Sequence, residues 1–155
     1  RAINLEEIDL QQLLKSVIED HEVKAAKKEI DIHFEHPVNM HLVITDSQLM
    51  KRVMDNLLSN AIKFSQPGKN IFVDVREQVQ NILVSVRDEG PGIEADEMKA
   101  LFSKYGKTSV VPTAGETSTG LGLSIVKRIM QELNGDVSCQ STLGVGSVFT
   151  ITVKR

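Results

Sequence analysis

Apolar residues recur every three or four positions in some stretches of the chain and every second position in others. Leu10, Leu13, Leu14, Val17, Ile18 and Ala25 fall on one face at helical spacing. Asp9 can cap that helix with Gln12 three positions on, so a helix over 9–28 is predicted, with His21 in the middle of its apolar stripe. Ile30–Glu35 alternates as a strand, and Leu42–Thr45 reads as a short second one. Thr45-Asp46-Ser47-Gln48 opens another helix, running to about Ser65 ahead of Pro67-Gly68. Met50, Val53, Met54, Leu57, Leu58, Ala61, Ile62 and Phe64 cover one broad side of it. Asn56, Asn60 and Lys63, at i, i+4 and i+7, share an opposite sector of about a sixth of a turn.

Ile71–Glu77 and Asn81–Asp88 alternate as an antiparallel pair of strands, the second delivering Asp88 to the turn Asp88-Glu89-Gly90-Pro91-Gly92-Ile93. A short amphipathic helix, Ala95–Ser103, would bury Met98, Leu101 and Phe102. Little apolar content follows until Thr119-Gly120-Leu121-Gly122-Leu123. Leu121–Leu133 is apolar nearly all round, which predicts a buried helix ended by Asn134-Gly135 as a left-handed cap. Val137–Thr142 and Ser147–Val153 form a hairpin across Leu143-Gly144-Val145-Gly146. Strands and helices segregate rather than alternate strictly, which points to an α+β two-layer sandwich.

Composition narrows the class. The 155 residues suit one domain, and 41% hydrophobic with 25% charged content is ordinary for a globular protein. A net charge of −3 argues against a broad nucleic-acid-binding face. No apolar run reaches the ~18 residues that span a bilayer, and no secretory leader is visible. The lone Cys139 fits a reducing compartment, and Arg1 in place of Met suggests a piece of a longer protein. A cytoplasmic domain without membrane contact is expected.

Three features carry candidate chemistry. Two carboxamides and an ammonium on one helix face could hold Mg²⁺ through a hard amide oxygen and a phosphate through Lys63; a solvated helix face is the alternative. Asp88, at the end of an apolar strand, needs donors. An adenine amino group would serve, and so would nearby backbone N–H groups in a turn. The glycine pairs let backbone N–H groups approach a ligand, and the second opens a helix whose N-terminus favours anions. Neither pair fits the G-x-x-x-x-G-K-[ST] phosphate loop or G-x-G-x-x-G after a strand. A phosphate-bearing ligand under a mobile lid is the resulting expectation.

The ordered set Asn-x-x-x-Asn-x-x-Lys, Asp-x-Gly-x-Gly and Gly-x-Gly resembles the ATP-binding catalytic domain of sensor histidine kinases, in the superfamily of gyrase, Hsp90 and MutL. Asp55–Phe64 is similar to the family's N box, Asp88–Ile93 to the G1 box, Leu101–Tyr105 to the F box and Gly120–Leu123 to the G2 box. Gly144–Phe149 is similar to the family's final glycine turn. The resemblance implies a Bergerat-type sandwich: a mixed, mostly antiparallel sheet of about five strands on about three helices, with an ATP lid at roughly 93–119. It implies that Asn60 ligates Mg²⁺, that Asn56 supports metal and phosphates, that Lys63 contacts phosphate and that Phe64 walls the pocket. Asp88 would receive the adenine amino group, with Gly90, Gly92 and Ile93 beside the base. Tyr105, Lys107, Thr119, Gly120, Leu121, Gly122 and Leu123 would complete the nucleotide site. Lys107 stands where relatives often carry a lid arginine, and loses its bidentate geometry. Ser118 and Glu89 replace more usual residues, with small effects expected.

Hydrolytic members of the superfamily carry a Glu four residues before the metal-binding Asn; here that position is Asn56, which cannot act as a base. The implied activity is transfer of the γ-phosphoryl of Mg-ATP to a histidine, with Asn56, Lys63 and Lys107 as catalytic candidates. His21 lies on an apolar stripe with no proline at the expected place, so it reads as a partly buried packing residue. His33, His36 and His41 show no clustered Cys or carboxylate partner, so metal binding by them is not expected. The acceptor is therefore expected on dimerisation helices outside this chain, in a homodimer serving a response regulator. The alternatives are a non-catalytic nucleotide-responsive interaction module and an anti-sigma-type serine kinase.

Overall fold

The computed structural model describes residues 2–103 and 122–155, so Lys104 through Leu121 lie outside the described residues. Helix α1 (Leu10–Lys27) begins where expected, because Asp9 accepts a hydrogen bond from the Gln12 N–H at 3.1 Å. Helix α2 (Ser47–Phe64) is capped the same way, Asp46 Oδ1 accepting from the Leu49 N–H at 3.0 Å. The apolar side of α2 is buried as its wheel predicts, Met50, Val53, Met54 and Leu58 being inaccessible. Leu58→Ala would cost about 2–5 kcal/mol.

Five strands build one sheet: β2 (Asp31–Glu35), β4 (Asn70–Glu77), β5 (Asn81–Asp88), β6 (Asp136–Thr142) and β7 (Gly146–Lys154). Their order is β2-β4-β5-β7-β6; β2 and β4 are parallel and all other pairs antiparallel. Alternation sets the layers. Ile71, Val73 and Val75 of β4, Ile82, Val84 and Val86 of β5, and Phe149, Ile151 and Val153 of β7 form the sheet's share of the core. The helices α1, α2 and α4 (Gly122–Glu132) supply most of the rest, with Ile8, Ile30, Val43, Leu101 and Val137 at the margins, so the mixed, mostly antiparallel two-layer architecture is as expected.

Several local expectations need correction. An unanticipated strand β1 (Glu6–Ile8) pairs antiparallel with β3 (Val43–Thr45) in a separate two-stranded sheet. The helix expected over 95–103 shrinks to α3 (Ala95–Met98). Beyond it the N–H groups of Ala100, Leu101 and Ser103 bond three residues back, which tightens the chain into 3₁₀-type turns. Leu101 is nonetheless buried, while Met98 and Phe102 are half-buried. Helix α4 is not buried all round: Val126, Ile129 and Met130 are, but Leu123 and Ile125 are half-buried and Arg128 and Gln131 exposed. It rests on α2, β6 and β7 by one face and leaves the other to solvent. Asn134 does adopt the left-handed conformation, with φ 60°.

Candidate functional site

Strand parity explains how Asp88 comes to be buried. It continues the series Ile82, Val84, Val86, so its side chain falls on the helix-covered face of the sheet, where it is 8% exposed. Its Oδ1 accepts from the Gly90 N–H at 2.9 Å and from the Ser147 N–H at 3.3 Å. Both hydrogen bonds go to the same oxygen; among the described residues Oδ2 receives none. The turn-aspartate alternative is therefore half right. Burial pushes the Asp88 carboxyl above its ordinary range, and the two backbone donors only partly oppose that. A donor arriving at Oδ2 from a ligand would favour the charged form.

The turn after Asp88 is clasped by the β6–β7 hairpin. Gly92 has φ +79°, and a Cβ there would stand 2.3 Å from the Thr142 carbonyl oxygen. Gly146 has φ +148°, and its Cβ would meet the Asp88 carbonyl oxygen at 2.1 Å. The Gly144 N–H donates to the Pro91 carbonyl at 2.8 Å, and the Ile93 N–H to Ser141 Oγ at 2.8 Å. Ser141 Oγ and Ser147 Oγ are hydrogen-bonded at 2.8 Å. The two serines were missed in sequence. No local pattern marked them, since a glycine turn joining two antiparallel strands is explained by its own turn geometry. Glu89, for which small effects were expected, accepts the Asn70 N–H at 2.7 Å and so ties the turn to the start of β4. That contact holds the Glu89 carboxyl below its usual range.

Helix α2 forms the second wall. Asn56, Asn60, Lys63 and Phe64 are all half-buried, neither core nor fully solvated. The Asn56 Nδ2 stands 3.5 Å from the Gly122 carbonyl oxygen at the first turn of α4. At its C-terminal end α2 reaches the Asp88 turn, where a Cβ on Gly90 would lie 2.9 Å from the Phe64 carbonyl oxygen. The carboxamide-bearing helix thus touches the Asp88 turn and the first residue of α4. Tyr105, Lys107, Thr119, Gly120 and Leu121 lie outside the described residues; Gly122 and Leu123, half-buried at the start of α4, are within them.

The donor chemistry fits Mg²⁺ with a nucleotide better than a metal bound by protein alone. Among the described residues no three His, Cys, Asp or Glu side chains gather, while α2 offers neutral amide oxygens that suit a cation taking its other ligands from phosphates and water. Cys139 is no nucleophile: burial, then the neighbouring Asp88 charge, push its thiol up to about 12. His21 is partly buried, as expected, but it does more than pack: its Nε2 lies 3.0 Å from Asp55 Oδ1 across the α1–α2 interface. His41 differs from expectation too, since its Nδ1 has a carboxylate partner, Glu77 Oε2 at 3.0 Å.

An α/β sandwich with a half-buried carboxamide helix set between the Asp88 turn and the start of α4 is the frame of a nucleotide-binding ATPase-type domain. The chain belongs to the family of histidine kinase-, DNA gyrase B- and HSP90-like ATPases, whose model matches residues 45–155. It is similar to the sensor-like histidine kinase SenX3 of Mycolicibacterium smegmatis, 30% identical over 153 residues that cover 99% of this chain and 40% of that protein. The nucleotide-free catalytic domain of the histidine kinase ThkA superposes with a TM-score of 0.85 at 29% identity, covering 97% of each chain. ThkA in complex with the response regulator protein TrrA also matches, with a TM-score of 0.81 at 26% identity over 98% of this chain and 42% of that one. Full-length ShkA in complex with AMPPNP gives 0.86 at 25%, over 99% of this chain and 31% of that one. The chain thus spans less than half the length of the curated relative SenX3.

Proposed function

We propose that residues 1–155 form the catalytic and ATP-binding domain of a two-component sensor kinase, with a lid near 93–119, that binds Mg-ATP and passes its γ-phosphoryl to a histidine on a separate dimerisation domain. The observation that carries this reading is that α2 meets both the start of α4, through Asn56 in its middle against Gly122, and the Asp88 turn, through Phe64 at its end against Gly90. That leaves the Asn60 and Lys63 side chains between an acceptor fit for a base and a helix start fit for phosphates. Asp88 Oδ2 receives the adenine amino group, with Gly90, Gly92 and Ile93 shaping the base pocket and Phe64 walling it. Asn60 holds the metal, supported by Asn56, and Lys63 and Lys107 meet phosphate. Bound Mg²⁺ would neutralise charge on the phosphates. Tyr105, Thr119, Gly120, Leu121, Gly122 and Leu123 complete the enclosure.

The residues favour transfer over hydrolysis. Asn56 stands four positions before Asn60 and cannot take a proton from water, so the domain's work is to position the phosphoryl donor and stabilise its charge. None of the four histidines is offered as the acceptor: His21 is turned onto Asp55, and His33 and His41 are bonded to Asn70 and Glu77 on the sheet. His36 bonds the adjoining Pro37 carbonyl. The partners implied are the phosphoacceptor helices of a homodimeric parent and a response regulator, with no nucleic acid and no membrane contact by this cytoplasmic domain. Among the described residues no helix is long and apolar enough to cross a membrane.

Calorimetry with Mg-ATP tests the site. The parent chain should bind, and Asn60→Asp should disturb the metal-dependent part of that binding. Mixed with a histidine-bearing helical domain, the chain should produce acid-labile phosphate on that domain and none on itself. Label on the isolated chain, or steady phosphate release at ordinary enzyme turnover, would overturn the assignment.

A further inference from the structure

The lysine that caps α1 reaches the last turn of α2, the helix that carries the proposed metal and phosphate groups. Lys28 is 7% exposed, a burial that a lysine tolerates only when its ammonium is well served. Its Nζ donates to the Ile62 carbonyl at 2.6 Å and approaches the Lys63 carbonyl at 3.4 Å. Both belong to the last turn of α2, whose final four carbonyls have no partner within the helix. Three of the four have a donor, and the fourth lies against the Asp88 turn. Ala61 O accepts the Ser65 N–H, Ile62 O and Lys63 O face the ammonium, and Phe64 O packs on Gly90. The Lys28 carbonyl in turn accepts the Gly68 N–H at 2.9 Å, so the same residue also anchors the chain as it leaves α2. A cation here also complements the negative end of the helix dipole.

We propose that Lys28 is a positioning residue for nucleotide binding: its buried ammonium holds the last turn of α2 where the Phe64 carbonyl braces the Asp88–Gly92 turn and Lys63 faces the phosphates. It touches no ligand itself. It acts through the end of α2, which is shared by the base side and the phosphate side of the cleft. This inference rests on the nucleotide reading of the site.

The test compares Lys28→Met, which keeps length and loses the ammonium, with Lys28→Arg, which keeps a buried cation. Val153→Ala serves as a control destabilised at the opposite end of the sheet. Binding of Mg-AMPPNP is measured by calorimetry at a temperature where all four proteins are folded, together with amide hydrogen exchange at Ser65 and Gly90. Lys28→Met should weaken binding by about tenfold, the order of one charge-assisted hydrogen bond. It should also speed exchange at both amides. Lys28→Arg should recover most of the loss, and Val153→Ala should change neither readout. Parent-like affinity and exchange in folded Lys28→Met would overturn the proposal. So would an equal loss of affinity in Val153→Ala, because destabilisation alone would then account for it. If the parent itself fails to bind Mg-AMPPNP, the nucleotide reading falls, while faster Gly90 exchange in Lys28→Met would still sustain the brace between α2 and the turn.

Discussion

Two carboxylates at opposite ends of β4–β5 are treated in opposite ways. Glu77, at the hairpin end, is oversupplied: His41 Nδ1 at 3.0 Å, the His41 N–H and the Arg155 guanidinium all converge on its Oε2. The His41 hydrogen bond leads in holding its carboxyl below the usual range. Asp88, at the other end, is buried with two backbone donors on one oxygen, and its carboxyl is pushed up. A charge that is fully served closes a surface. One that is buried with donors on a single oxygen can still take another, and that asymmetry is what marks Asp88 rather than Glu77 as the candidate ligand carboxylate.

The comparison breaks most severely if the clasp on Asp88 is removed. Gly146→Ala drives a Cβ into the Asp88 carbonyl at a strained φ, and should cost about 2–4 kcal/mol in urea unfolding and abolish nucleotide binding at ambient temperature. Next comes Asp88→Asn, which removes the charged acceptor. It should weaken Mg-ATP binding by roughly 10–100-fold by calorimetry, the worth of a hydrogen bond to a charged group, while leaving the free protein as stable as the parent or more so. The pH dependence carries the same sign. Because the folded-state pKa of Asp88 is raised, the free protein should gain stability as pH falls through it and lose stability as pH rises. Nucleotide affinity should move the other way, weakening on acidification as the acceptor is protonated. The smallest effect belongs to Glu77→Gln, about 0–1 kcal/mol with unchanged binding. Its own pH signature is reversed: Glu77 stabilises above its unfolded pKa, and that contribution fades as pH falls through its lowered folded value.

What the sequence discloses here is what short-range physics decides. Asp9 with Gln12 and Asp46 with Leu49 are caps three residues apart, and both helices start within a residue of expectation. The β4–β5 register follows from alternation, and it carried Asp88 to the covered face. The misses are long-range. Strand β1 is three residues long and exists because β3, 37 residues later, offers it an edge, Ile8 pairing with Val43 at the nearer end and Glu6 with Thr45 at the farther. The sequence separation of His41 from Glu77 (36 residues) and of Lys28 from Ile62 (34) hides both contacts from any local pattern. For the candidate site, the residue types on α2 and in the Asp88 turn stand out in the sequence because carboxamides on a half-buried helix face and a carboxylate on a covered strand face are unusual uses of those positions. The glycine turns were named, but the clasp between them was not, because the Ser141 hydroxyl reaches Ile93 across 48 residues of sequence and the Ser147 N–H reaches Asp88 across 59.

The clasp has a consequence for biogenesis. Every side chain assigned here to adenine, metal or phosphate precedes Leu133, yet the Asp88 turn is braced by backbone and hydroxyl groups from 141 to 147. A nascent chain on the ribosome would therefore display all of its ligand-facing groups before it could grip anything. Competence for nucleotide would arrive only once the β6–β7 hairpin has been made and docks.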